Sequence, residues 1–150
     1  MHKAAKQIVA MGEFPTDYSD VRKLSGVGEY TAAAICSICY GRPCAVLDGN
    51  VFRVLSRYLG IDTPIDSSQG KKVFRQMADE MLDVQNPAVY NQAIMDFGAM
   101  ICTPKSPQCT DCPLADTCSA FADGLTAELP IKSRKVKIRN RFLTYLILTD

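Results

Sequence analysis

The sequence predicts an all-α protein with one β-strand at its C-terminal end. Apolar residues recur at helical spacing through the first 122 residues, and no alternating strand pattern occurs before residue 130. The composition is 47% hydrophobic and 22% charged, as in soluble globular proteins. The formal net charge is only +1, so any anionic partner must be met by a local basic patch.

Six helices are predicted, at about residues 3–11, 21–24, 30–40, 51–59, 69–82 and 87–101. The first has an apolar face and can end at Gly12. Thr16 or Asp17 can cap the second. The third follows the break at Gly26-Val27-Gly28, and its small residues allow packing on nearly every side.

The last three helices carry clear spacing or start signals. In the fourth, the apolar residues at helical spacing are Val51, Val54, Leu55 and Tyr58. The fifth follows the capping residues Asp66, Ser67 and Ser68. The sixth begins at Asn86-Pro87, with the cap followed by proline at the first helical position. The residues of this helix that are predicted to face inward are Val89, Ala93, Ile94 and Phe97.

The C-terminal end has a different pattern. Residues 123–135 are predicted to be a linker, and residues 136–150 a β-strand. Because one strand cannot stand alone and the first helix has nothing before it to pack against, we expect the chain to be a fragment. The sequence has no signal-peptide pattern and no apolar run long enough to span a bilayer, so we expect a cytoplasmic or nuclear protein.

Four of the seven cysteines lie within 17 residues, with the spacing Cys102-x6-Cys109-x2-Cys112-x5-Cys118. The odd total and the expected reducing compartment argue against a disulfide framework and for metal binding. Zinc usually takes two close pairs of ligands, whereas this pattern has one close pair flanked by wider gaps. The spacing favours a 4Fe–4S cluster, with zinc as the alternative.

A glycine-punctuated turn, L-x-G-V-G-x-Y-T at residues 24–31, lies between the second and third helices. Gly26 and Gly28 permit a sharp turn and close approach of the backbone to a partner. The next helix begins with free N–H groups at its positive end, which suits a phosphate. A plain inter-helix turn is the alternative interpretation.

One conspicuous carboxylate, Asp48, precedes the fourth helix in the segment Leu47-Asp48-Gly49-Asn50-Val51. Asp-Gly is an ordinary turn pair, and Asn50 is an ordinary N-cap. However, Asp48 would lie next to a helix N-terminus, where the dipole favours negative charge. A carboxylate held there could stabilise a developing cation.

Other candidates are placed by context. Lys105 lies in the loop between the first two clustered cysteines, where a rigid loop could present it to a phosphate. Cys36, Cys39 and Cys44 are expected to be packed in the interior, because no strand precedes the CxxC pair as in a thioredoxin-like site.

Together these motifs resemble the helix-hairpin-helix DNA glycosylase superfamily. LSGVGEYTAAAI is similar to its hairpin, VLDGNVFRVLSR to its catalytic-aspartate segment, and the cysteine spacing to that of its 4Fe–4S cluster. The resemblance covers residues 1–122. Tyr30 stands where endonuclease III-like lyases carry a lysine nucleophile, and DFGAMICTPKSPQC resembles the A/G-specific adenine DNA glycosylases of MutY type.

The resemblance implies four segments. Residues 1–47 would form part of a six-helix domain with the hairpin, and residues 48–122 a helical iron–sulfur cluster domain. Residues 123–135 would be the linker, and residues 136–150 the first strand of a truncated Nudix-like domain.

The resemblance also implies base excision repair by a monomeric enzyme that removes adenine mispaired with 8-oxoguanine or guanine in duplex DNA. Asp48 would stabilise or transiently capture the cation-like sugar, supported by Asn50 and Tyr30. The residues expected to contact DNA are Leu24, Gly26, Val27, Gly28 and Lys105. A monovalent cation often accompanies the hairpin in that family.

One family feature has no counterpart in this sequence. The catalytic glutamate lies in a segment resembling SE-x-M-L-Q-Q-T, which is absent from the 150 residues. Loss of a general acid costs roughly 10²–10⁴-fold in rate, so we expect the chain to be weakly active or inactive. A non-catalytic DNA-binding module and an endonuclease III-like lyase are the alternatives.

Overall fold

The computed structural model describes residues 1–133, 142, 143 and 145, and these residues contain helices and no strand. The helices are α1 (His2–Met11), α2 (Tyr18–Val21), α3 (Glu29–Ala34), α4 (Gly49–Leu59), α5 (Ser68–Met81), α6 (Pro87–Met100) and α7 (Ser119–Ala122). The predicted all-α class is therefore confirmed. The strand predicted at 136–150 falls almost entirely outside the described residues. Within them, no helix is long and apolar enough to cross a membrane.

The hairpin-bearing half is built on a small core of Val21, Ala32 and Cys36. α2 ends at Val21 rather than at residue 24, because the chain turns there into the hairpin. α3 continues without a break as a π-helical stretch, Ile35–Cys39, which was not predicted.

Two packing predictions for this half are wrong. The third helix buries one side only, and Cys39 is exposed while Cys36 is buried and Cys44 is half-buried. The apolar face of α1, which the sequence predicts to have nothing before it to pack against, is not buried by any of the described residues, and Val9 is 80% exposed.

A larger core joins α4, α5 and the loop before α4. Its buried members are Ala45, Val51, Leu55, Phe74, Ala78 and Leu82. The start of α5 follows from a cap, because Ser67 Oγ accepts a hydrogen bond from the N–H of Gly70 at 2.8 Å. The predicted start of α6 is confirmed, with Asn86 as the cap and Pro87 in the first turn.

α6 packs with a face that differs from the predicted one. Val89 and Ala93 are exposed, whereas Asn91 and Gly98 are buried. Asn91 is buried because its amide bridges the loop that leads to α4. Its Oδ1 accepts from the N–H of Val46 at 3.0 Å, and its Nδ2 donates to the carbonyl of Cys44 at 2.8 Å. A polar side chain therefore ties α6 to the segment that carries Asp48.

The described part of the predicted linker, residues 123–133, makes ordered contacts with the helices. Leu129 is buried, the N–H of Ile65 donates to the carbonyl of Ile131 at 3.0 Å, and Ser133 donates to Asp66. This segment covers one end of α4 and the start of α5.

Candidate functional site

Asp48 is the N-cap of α4. Its Oδ1 accepts a hydrogen bond from the N–H of Val51 at 2.8 Å, and its Oδ2 accepts from Nδ2 of Asn50 at 3.1 Å. The ordinary interpretation of Asn50 as the cap does not hold, because the helix begins at Gly49, two residues before the predicted start at Val51. Both carboxylate oxygens are thus held by donors at the positive end of a helix.

Arg53 extends this arrangement into the protein. Its Nη2 donates to Oδ1 of Asn50 at 2.9 Å and to the carbonyl of Gly98, and its Nε donates to the carbonyl of Cys102 at 2.6 Å. Because Arg53 is buried, the desolvation of its guanidinium lowers its pKa, against the favourable effect of the nearby Cys102. A continuous hydrogen-bonded path therefore joins the Asp48 carboxylate to the backbone of the first clustered cysteine.

The four clustered cysteines face one cavity. Cys102, Cys109, Cys112 and Cys118 all line it, together with apolar side chains from α4, α6 and the loop that follows α6. Burial, and then the three neighbouring thiols, raise the pKa of Cys109. Within the described part of the chain, no three His, Cys, Asp or Glu side chains are placed to hold a single metal ion. Four thiols around a shared apolar space suit a polynuclear group such as an iron–sulfur cube.

Arg57, one turn beyond Arg53 on α4, anchors the loop that carries these thiols. Its Nη1 donates to the carbonyl of Thr103 at 2.8 Å and lies 3.4 Å from Sγ of Cys102. Its remaining donors reach the carbonyls of Pro104 at 3.2 Å and Leu129 at 3.0 Å. The side chain is almost completely buried, so one guanidinium fastens two distant segments to α4.

The hairpin between α2 and α3 is exposed on its outer side. Gly26 has φ +85°, a conformation that favours glycine, and the N–H of Val27 donates to the carbonyl of Leu24 at 3.0 Å. Leu24 is buried, so the exposed part of the turn begins at Ser25. Arg22 braces the turn through a 2.8 Å hydrogen bond from Nη1 to the carbonyl of Val27.

The other two predicted site residues are separate from this network. Tyr30 is 44% exposed, and its hydroxyl lies 4.0 Å from Sδ of Met95 on α6, not against Asp48. Lys105 is exposed on the cysteine loop, with no hydrogen bond or ion pair to any described residue. The structure therefore brings Asp48 and Asn50 together and leaves Tyr30 and Lys105 on the surface.

Comparison with known proteins shows which proteins the chain resembles. Residues 102–118 match the iron-sulfur binding domain of endonuclease III. Adenine DNA glycosylase from Schizosaccharomyces pombe is 36% identical over 126 residues, which cover 82% of this chain and 27% of that protein. Over most of its own length the chain is therefore similar to adenine DNA glycosylases. The predicted 4Fe–4S cluster is confirmed by this match, whose residues span the four clustered cysteines.

Solved structures agree on the fold. A thermostable thymine-DNA glycosylase superposes with a TM-score of 0.73 at 28% identity, covering 81% of this chain and 56% of that one. A non-covalent complex of endonuclease III with DNA superposes with a TM-score of 0.67 at 27% identity, covering 82% and 56%. The chain spans between 24% and 39% of the length of the first curated relatives that it matches.

Two functional residues, Arg53 and Arg57, were missed by the sequence reasoning. They lie four residues apart in VFRVLSR and therefore share one face of α4. Gly49 and Ser56 lie on the same face as Arg53. Because none of these residues is hydrophobic, the amphipathic pattern predicts that this face is exposed. The cysteine loop could have given a signal. Its backbone carbonyls need hydrogen-bond donors where the folded loop packs against α4.

Gly98→Ala is expected to disturb both the helix packing and the aspartate site. A Cβ at Gly98 would lie 2.8 Å from Cβ of Asn50 and 3.1 Å from its carbonyl oxygen, so α4 and α6 must move apart. We expect a loss of about 1–3 kcal/mol in the free energy of unfolding, measured by urea denaturation. Gly49→Ala is the matched control, since its added Cβ meets nothing within 4 Å. Equal unfolding midpoints for the two variants would contradict this packing argument.

Proposed function

We propose that this chain binds duplex DNA and carries the aspartate that stabilises the transition state for release of adenine mispaired with 8-oxoguanine or guanine. The observation that carries the proposal is the Asp48 carboxylate, held by Val51 and Asn50 at the N-terminus of α4. Breaking an N-glycosidic bond places positive charge on the sugar, and a fixed anion opposite that charge lowers the barrier.

The reaction needs access to the base. Adenine must leave the helical stack, because its glycosidic bond is out of reach within a duplex. As the bond breaks, the bonding electrons leave with the base, which takes up a proton from solvent, and C1′ becomes cationic. Water then adds to C1′ and returns a proton to solvent, so the reaction balances. Asp48 would stabilise this cation, and Asn50 would keep the carboxylate oriented through the 3.1 Å hydrogen bond. Tyr30 is proposed to support the sugar from the exposed start of α3.

The DNA would be held by backbone and loop groups. We propose that the turn formed by Gly26, Val27 and Gly28 approaches a phosphate through the amides of its two glycines, where a monovalent cation could share the carbonyls of the turn. The exposed Lys105 would contact a second phosphate from the cysteine loop. The iron–sulfur cluster, held by the four thiols, would keep that loop rigid.

Single-turnover assays with the chain in excess over DNA test the proposal. We expect slow adenine release from duplexes with adenine opposite 8-oxoguanine or guanine, and none from an adenine–thymine pair. The rate should be slow because the 150 residues contain no segment similar to the family's acid-bearing motif. No release together with no DNA binding would overturn the proposal.

Two outcomes would revise it. DNA binding without any release would favour the non-catalytic DNA-binding module, to which the exposed hairpin and Lys105 are suited. A covalent DNA adduct trapped by borohydride would favour a lyase, which needs an amine nucleophile, whereas this chain has Tyr30 at the position of the family's lysine.

A further inference from the structure

The hairpin at Leu24–Gly28 receives support from a helix that is distant in sequence. Gln7 on α1 accepts a hydrogen bond from the N–H of Ser25 through Oε1 at 2.7 Å, and its Nε2 donates to the carbonyl of Lys23 at 3.4 Å. In the described part of the chain, these are the side-chain hydrogen bonds that α1 makes, and both reach the hairpin. Since α1 buries no residue, its packing does not explain this contact.

The two Gln7 hydrogen bonds determine which amides the hairpin presents. The N–H of Ser25 is taken by Gln7, and that of Val27 by the carbonyl of Leu24. Among the described residues, the N–H groups of Gly26 and Gly28 meet no protein acceptor in the turn. Within the turn, the amides open to a ligand are therefore those of the two glycines.

We propose that Gln7 is a positioning residue for DNA binding, which holds the hairpin backbone so that the Gly26 and Gly28 amides face a phosphate. The proposal rests on the function proposed above, because it needs the hairpin to bind DNA. Without Gln7, the turn around the left-handed Gly26 samples other conformations. Binding a phosphate must then order the turn, and this entropic cost weakens the affinity for DNA.

The test compares Gln7→Ala with Gln76→Ala in the 150-residue chain. Gln76 is also an exposed glutamine, and its side chain makes one hydrogen bond, to Glu80 at 2.8 Å on α5. We expect Gln7→Ala to raise the dissociation constant for a mispaired duplex about 3- to 10-fold and to flatten its salt dependence. The thermal unfolding midpoint and the rate at saturating DNA should not change. Gln76→Ala should change none of these quantities.

Hydrogen exchange without DNA provides a second measurement. The Ser25 amide should exchange faster in Gln7→Ala than in the parent, and Gln7→Glu should restore its protection, since a carboxylate accepts the same hydrogen bond. Gln7→Glu should still bind DNA weakly, because it lacks the donor to Lys23 and adds negative charge near the phosphate.

The outcomes separate the two proposals. A parent chain that binds DNA and a Gln7→Ala variant that binds equally well would overturn the role of Gln7 and leave the proposed function standing. A parent chain that fails to bind DNA would overturn the proposed function, and the role of Gln7 with it. If Gln7→Ala weakens DNA binding and also lowers the thermal unfolding midpoint, then Gln7 only stabilises the fold. That result would also overturn the proposal.

Discussion

An Asp48→Asn variant is expected to keep its fold and its DNA affinity while adenine release falls by about 100- to 1,000-fold, the usual effect of removing one group that stabilises charge in the transition state. Asparagine caps helices about as well as aspartate, so the hydrogen bond from Val51 can persist. What is lost is the negative charge opposite the sugar cation.

The measurement is the single-turnover rate of adenine release, with DNA affinity and thermal unfolding recorded on the same samples. Asp79→Asn is the matched control, because this exposed carboxylate on α5 makes only a 4.0 Å surface ion pair with Arg75. We expect the control to be indistinguishable from the parent chain. Release at the parental rate by Asp48→Asn would show that another group stabilises the cation.

An Arg57→Met variant is expected to lose about 3–5 kcal/mol of the free energy of unfolding. Methionine can occupy a similar volume but donates no hydrogen bond, so the carbonyls of Thr103, Pro104 and Leu129 lose a buried donor. Since small domains unfold with only about 5–15 kcal/mol, this change is large. The loop that carries Cys102 should loosen as well, and the chain should retain less iron.

Urea denaturation and the ratio of iron to protein after desalting measure these two effects. Arg42→Met is the control, because the Arg42 side chain is exposed and pairs with Asp17 at 3.2 Å on the surface, where ion pairs contribute about 0–1 kcal/mol. Arg57→Lys should be intermediate, since an ammonium keeps the charge but cannot reach three separated carbonyls. Full iron retention and parental stability in Arg57→Met would refute the anchoring role.

The parts of the site that could be predicted are those set by spacing along the chain. The spacing between Cys109 and Cys112, and the gaps on either side, are fixed by the sequence. This spacing indicates an iron–sulfur site without any knowledge of the fold. Asp48 was predicted in the same way, because a carboxylate before a helix start lies at the positive end whatever packs around it. Asn86 and Ser67 were predicted as helix caps because capping depends on the next few residues alone.

The burial of polar side chains was not predictable from such patterns. Val89 was expected inside and is 69% exposed, whereas Asn91, two residues later, is 1% exposed. The reason is that Asn91 satisfies the backbone of Cys44 and Val46, which no local pattern brings to α6. Gly98 is buried for a related reason, since only a residue without a side chain lets α6 approach Asn50 so closely.

The sequence by itself determined the spacing of the four clustered cysteines, the aspartate at the start of α4 and the turn with its two glycines, because each depends on neighbours within a few residues. Only the tertiary structure decided that Arg53 and Arg57 link the aspartate segment and α4 to the cysteine loop. Their acceptors at Cys102, Thr103, Pro104 and Leu129 lie 46 to 72 residues further along the chain. A guanidinium is stable in the interior only where folding assembles enough carbonyls around it, so its role is a property of the fold.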